Sequence, residues 1–392
     1  VSNETVEALV NPEVVKWAIT RRNLSLEKVA SKIRVDSNEL EDWRRGRSRP
    51  TFNQAQDLAR KLNIPFGYFF LLKPPAENLP LPDLRTLNNA TPRQTSPNLL
   101  SVVYDAFRKQ EWYHDFLEEE NTPRVPFIGK FSENDKPEII AADIIKTLGI
   151  DDDLRQSCDT WEQFLKEIIR RVEKSHVLAI RAGFVGNDPS RKLDINEFQG
   201  FAISDNLAPL IFINEGDYKS AQIFTAIHEL AHLWINRSGV SKIDYRSKKQ
   251  SHTIDQLCDR IAAEVLVPGD DFRIRWNNFY GIERNLKKLA SHYRVSQFVI
   301  LRRAYDFDWI DIQQYQKYYD LLLERITPKK SGGGNYYKVV LSRNSPTLTK
   351  TLIAAVGEGR ILPTEVSRLL NIRVSKLSAL EAFVVFGEAS HA

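Results

Sequence analysis

The run FTAIHELAHLWIN, residues 224–236, restricts this chain more than any other stretch. It is too apolar for a surface helix, yet it carries His228, Glu229 and His232, three ionisable groups that a core accepts only when something offsets their charge. Residues four apart on an α-helix lie about 40° apart around its axis, so the two histidines project from one face and can share an ion. Glu229, turned by about 100°, stands beside that position rather than on it. This H-E-x-x-H spacing is the zinc-peptidase pattern, in which the glutamate acts as general base on a water activated by the metal. The rival reading, a core helix with satisfied histidines, has to bury all three groups among Ile227, Leu230, Leu233 and Trp234, which is costly without a metal.

Two histidines leave a third ligand to be found, and SHTIDQLCDRIAAEVLVP offers Asp255 and Asp259 one turn apart on a helix face. Either could bind the metal, with the other orienting a histidine from behind. Asp255 also suits the plain role of a carboxylate at a helix start, and spacing does not choose between the two. His252, Tyr245 and Arg246 lie on the intervening segment and are candidates for stabilising a transition state.

The 392 residues exceed one ordinary domain, and a formal charge of +4 does not mark a nucleic-acid binder. Cys158 and Cys258 are far apart and form no metal-type pair, which points to reduced thiols in the cytoplasm. No apolar run approaches membrane-spanning length and no secretion signal opens the chain, so no membrane partner is expected. The sequence contains no methionine, for which we have no physical account.

Patterning divides the chain into five regions. Residues 1–75 read as short helices. Ser25 can cap one of them, a tight turn falls at Ile33 to Val35, Ser37 can start the next helix through Arg45, and Gly46 stops it. Leu26, Val29, Ile33, Leu40 and Trp43 fall where two steeply crossed helices share a core. Residues 76–95 read as a proline-rich linker, with Pro74 and Pro75 at its entry and Pro80 and Pro82 inside it. Residues 96–175 contain three amphipathic helices. From 176 to 330 the period changes: HVLAIRAGF, GFAISD and PLIFINEG read as strands of a small sheet, and the two site-bearing helices follow. LKKLASHYRVSQFVILRRAYD then echoes LEKVASKIRVDSNELEDWRRG, a second helix-turn-helix-like hairpin. A glycine-rich hinge at Ser331 to Asn335 leads to a small helical tail, 331–392, with a weaker third echo.

The segments NPEVVKWAITRRNLSLEKVA, RPTFNQAQDLARKLNIPFGYFFL, RKLDINEFQGFAI, LIFIN, FTAIHELAHLWIN, LCDRIAAEVLVP and GGGNYYKVVLSR together resemble the ImmA/IrrE-type metallopeptidases joined to an N-terminal Xre-type helix-turn-helix. The resemblance spans nearly the whole chain. It implies an α+β, mainly helical protein, with a five-helix Xre-like unit followed by a zincin-like metallopeptidase domain that holds a small sheet. It also implies zinc as cofactor and a repressor or antitoxin as substrate, cut in response to stress such as DNA damage or phage. The family's second helix usually has a glutamate three residues before the cysteine as third ligand. Asp255 stands there, one methylene shorter, and Asp259 follows the cysteine.

In the helix-turn-helix, Ser37 and Asn38 are candidates for base edges, and Arg44, Arg45, Arg47 and Arg49 for phosphates. Asp36, Glu39, Glu41 and Asp42 share that helix and repel DNA. Two functions follow. The first is a cytoplasmic zinc endopeptidase, with His228, His232 and Asp255 as ligands, Glu229 as base, Asp259 in support, and the N-terminal unit recognising DNA or a partner. The second is a DNA-binding transcriptional regulator or antitoxin that uses the peptidase fold as a sensing module. A homodimer is compatible with either.

Overall fold

The computed structural model describes residues 6–22, 24–82, 95–241, 254–325 and 335–386. By their contacts these fall into two compact units. The first holds the described residues up to Leu79 with 95–101, and the second holds 80–82 and those from Val102 onward.

The first unit contains α1 (Pro12–Arg21), α2 (Leu26–Ile33), α3 (Ser37–Arg45), α4 (Phe52–Leu62) and a fifth, 3-10 helical segment, Phe66–Phe70. Local chemistry sets each boundary. Asn11 caps α1 ahead of a proline, and Ser25 caps α2 by accepting from Lys28 N. Thr51 and Gln54 close a capping box on α4. The turn between α2 and α3 places Arg34 in the left-handed region at φ 59°. α3 runs from Ser37 to Arg45 as expected, and its cap is Asp36, whose carboxylate accepts from Asn38 N. Val29, Ile33, Leu40 and Trp43 lie in one buried cluster with Leu26 packed against it, a core that the α2–turn–α3 hairpin shares with α1 and α4.

In the second unit a four-stranded mixed sheet, β1 (Leu178–Ala182), β2 (Gly200–Ile203), β3 (Leu210–Asn214) and β4 (Gly239–Ser241), runs in the order β1-β3-β2-β4. Only the β1–β3 pair is parallel. The strands are buried on both faces, as their unbroken apolar runs require. β4 was not foreseen: Ser238 to Ser251 reads as polar and basic, and the three-residue strand exists because β2 offers it a partner.

Helices surround the sheet. α5 (Pro97–Glu119), α6 (Pro137–Leu148), α7 (Asp152–Gln156) and α8 (Trp161–Lys174) precede it, and α9 (Lys219–Trp234) crosses it, packing on α8, β2 and β3. Behind α9 lie α10 (Ile254–Leu266), α11 (Gly269–Arg275), α12 (Ile282–Tyr293), α13 (Gln297–Asp306) and α14 (Ile312–Glu324). The C-terminal helices are α15 (Tyr336–Asn344), α16 (Pro346–Gly357), α17 (Pro363–Leu369) and α18 (Leu377–Phe386). Among the described residues no helix is long and apolar enough to cross a membrane.

The second hairpin repeats the geometry of the first, with Arg294 left-handed at φ 57° and Ser296 capping α13. Its burial differs. No residue of α13 is fully exposed, whereas α3 exposes Asn38 and Arg45, so the second helix of α12–α13 is packed more deeply than that of α2–α3. The first two C-terminal helices, α15 and α16, also pack on the sheet at β1. Buried Glu173 accepts from Ala179 N, Ser345 Oγ and Thr347 N at 2.8, 3.0 and 2.9 Å, while α15 lies along β1.

Trp234 closes α9. Its ring stacks on Phe127 with centroids 3.9 Å apart, and Nε1 donates to Asp143 Oδ2 at 2.9 Å. Trp234→Ala should destabilise this unit by about 3–5 kcal/mol, read as a lower urea midpoint without loss of the N-terminal unit's helical signal.

Candidate metal centre

From Gln222 to Trp234 every residue of α9 is buried, so the helix is the centre of the unit and its ionisable groups have no access to bulk water. His228 and His232 face the same point, with their Nε2 atoms 3.2 Å apart. α10 crosses α9 and brings Asp255 Oδ1 to 3.3 Å from His232 Nε2 and 3.9 Å from His228 Nε2. Two donors on a tetrahedral zinc, each about 2.0–2.1 Å from it, sit about 3.3 Å apart, so the three atoms have nearly the spacing of one face of such a site. The shorter aspartate therefore reaches. Asp259, one turn on, does not join this triangle. Its Oδ1 lies 2.9 Å from His228 Nδ1, an arrangement that leaves Nε2 as the free lone pair.

Partnerless polar atoms make the same point. Both carboxylate oxygens of Asp255, Glu229 Oε1 and His232 Nδ1 are buried without a hydrogen bond among the described residues. Such atoms are rare in folded proteins, and a cation held by the two Nε2 atoms would satisfy the Asp255 oxygens, though neither Glu229 Oε1 nor His232 Nδ1. The chemistry of the set agrees, since the buried carboxylates of Glu229 and Asp255, with half-buried Asp259 behind them, face two imidazoles and a divalent ion offsets the excess negative charge. The residues present thus fit a zinc ion.

The same arrangement perturbs protons. Burial opposes charge on His228, but Asp259, through its hydrogen bond and charge, with Glu229 and Asp255 behind it, raises the imidazole to about 9. Burial, reinforced by Asp255 and opposed by His228, pushes Glu229 up to about 8. Burial lowers His232. Cys258, beside these carboxylates, is pushed well up, again by burial first, and stays an inert thiol.

Two residues of the site escaped sequence reading. Ser241, fully buried at the end of β4, places Oγ 3.5 Å from Glu229 Oε2 and 3.4 Å from His232 Nε2. Gly200, on β2 and opposite Ser241 in register, makes room for the glutamate. A Cβ there would fall 2.5 Å from Glu229 Oε1 and 2.8 Å from Phe212 O. Nothing in the local pattern marks Ser241; the glycine opening an apolar strand was the one available signal. Tyr245, Arg246 and His252 lie outside the described residues.

On α3 the expected DNA contacts are engaged with acids of the same helix. Glu41 pairs with Arg44 Nε at 2.7 Å and Arg45 Nε at 2.6 Å, and Asp42 with Arg47 Nε at 3.0 Å. Glu39 accepts from Gln54. Asn38 and Arg49 are exposed, and Ser37 is half-buried.

Because the Gly200 Cβ would meet both a backbone carbonyl and the Glu229 carboxylate, Gly200→Ala should destabilise by about 1–3 kcal/mol. Urea denaturation with and without added zinc checks this, and a neutral result would mean that the strand can shift.

Residues 15–69 match the family model described as helix-turn-helix, and residues 191–305 match that of the IrrE N-terminal-like domain, peptidase family M78. Among curated proteins none matches the chain. The first match encloses α2, its turn and α3. The second runs from just before β2 through most of α13 and holds His228, Glu229, His232, Ser241, Asp255 and Asp259. The chain thus carries, in N-to-C order, an Xre-type helix-turn-helix segment and an IrrE N-terminal-like peptidase-family segment.

Proposed function

We propose that the protein is a cytoplasmic zinc-dependent endopeptidase that cleaves a partner protein, a repressor or antitoxin, with its helix-turn-helix unit recognising DNA or that partner. The observation that carries this reading is the convergence of His228, His232 and Asp255 on one point with Glu229 alongside. His228, His232 and Asp255 would hold zinc, which supplies Lewis-acid activation of a water and of an amide carbonyl. Asp259 fixes the His228 tautomer. Glu229 takes the proton of the attacking water and returns it to the leaving amine. The Ser241 hydroxyl steadies the glutamate from the strand side.

The rival reading, a regulator or antitoxin that keeps the peptidase fold for sensing, finds support in the exposed face of α3. The arginines of that helix must leave their acid partners to reach phosphates, which weakens the electrostatic part of any DNA contact.

Zinc titration separates the ligand from its supporter. Asp259→Ala should weaken binding about 10–100-fold, the range of outer-shell losses, and Asp255→Ala should weaken it more. Stripping of zinc by Asp259→Ala with retention in Asp255→Ala would reverse the two roles.

Glu229→Gln keeps shape and should keep zinc, while cleavage of the partner falls about 10²–10⁴-fold. Elemental analysis of the variant, with a blot of candidate repressors or antitoxins in cells, reads both. Cells in which the variant works fully, with partner levels unchanged, would favour the regulator.

A further inference from the structure

We infer that the outer edge of β4 is a docking strand for an extended polypeptide, and that residues 80–82 of this same chain cover it as a strap. β4 is the terminal strand of the sheet, and an open sheet edge beside a catalytic centre is a ready template for a peptide main chain. Here the edge is already engaged: Val240 N, which points away from β2, donates to Pro82 O at 3.0 Å. The next residue is Ser241, whose hydroxyl faces Glu229 and His232. The strap therefore occupies the main-chain donor one residue from the proposed site.

Sequence makes the strap a poor competitor. Leu81 is buried and anchors it, at 6% exposure, while Pro80 and Pro82 on either side are exposed. Neither proline has an N–H, so neither ring nitrogen can return a hydrogen bond to the edge. An extended segment of ordinary residues both donates and accepts along a strand. It can displace a cover that, among the described residues, is held by one main-chain hydrogen bond and one buried leucine. The prolines also keep the strap from becoming a permanent fifth strand. The occupant that fits is an unfolded or extended stretch of another protein, read through its main chain.

This inference rests on the peptidase reading for its biological sense, but its test does not depend on cleavage. In the full-length, zinc-loaded Glu229→Gln protein, fluorescein-labelled, reduced and carboxymethylated lactalbumin serves as an unfolded probe. Leu81→Asp should speed exchange of the Val240 amide and tighten probe binding about tenfold, the scale of a lost hydrogen bond and a competitor removed. Leu81→Ala should move both readouts the same way by less, and adding Val240→Pro should cancel the gain in binding. Unchanged exchange, unchanged binding despite faster exchange, or a gain that survives Val240→Pro would each overturn the proposal. Cleavage is followed separately with Glu229 intact. Tighter probe binding without any cleavage would sink the peptidase reading and leave the docking edge standing.

Discussion

The larger unit's centre is arranged around the cost of keeping two imidazoles and the carboxylates of Glu229 and Asp255 away from water. An unpaired buried charge is expensive, and removing one partner of a buried group strands the others. The surroundings of α9 are therefore specific. Asp259 holds Nδ1 of His228, Ser241 reaches both Glu229 and His232, and Gly200 withholds a side chain where the Glu229 carboxylate needs space. What remains unsatisfied, chiefly the Asp255 oxygens, is concentrated where a cation would sit.

The N-terminal unit manages charge differently. On α3 the acids and arginines neutralise one another in short-range pairs at the surface, where such pairs are individually weak and yield to a stronger competitor. Those carboxylates are thus a toll on phosphate binding rather than a bar to it. The contrast with α12–α13 shows how little a hairpin's shape says about use. The same left-handed arginine and the same capped second helix recur, but there the second helix is packed more deeply.

The sheet edge joins these themes. A strand as short as β4 would be frayed by solvent if it only bordered water. The contact from residues 80–82 gives its outward donor a partner close to the most costly part of the core. A stretch that reads only as a spacer between domains thus takes part in the site's architecture.

Much of this was legible before any coordinates. The apolar run around His228, Glu229 and His232 fixes a buried helix with two donors on one face, because helical periodicity alone decides which side chains share a side. Ser37 and Gly46 marked the two ends of α3. The β-branched runs fixed three strands, and the resemblance gave the order of the two matched segments. The rest was out of reach for one reason: it depends on groups distant in sequence. Asp255 and Asp259 are equivalent by spacing, and only the crossing of α10 over α9 sets one at 3.3 Å from His232 Nε2 and the other on His228 Nδ1. Ser241 belongs to a strand that exists because β2 pairs with it. Whether a helix-turn-helix hairpin faces solvent or core is decided by what packs against its second helix, and no pattern within the hairpin records that.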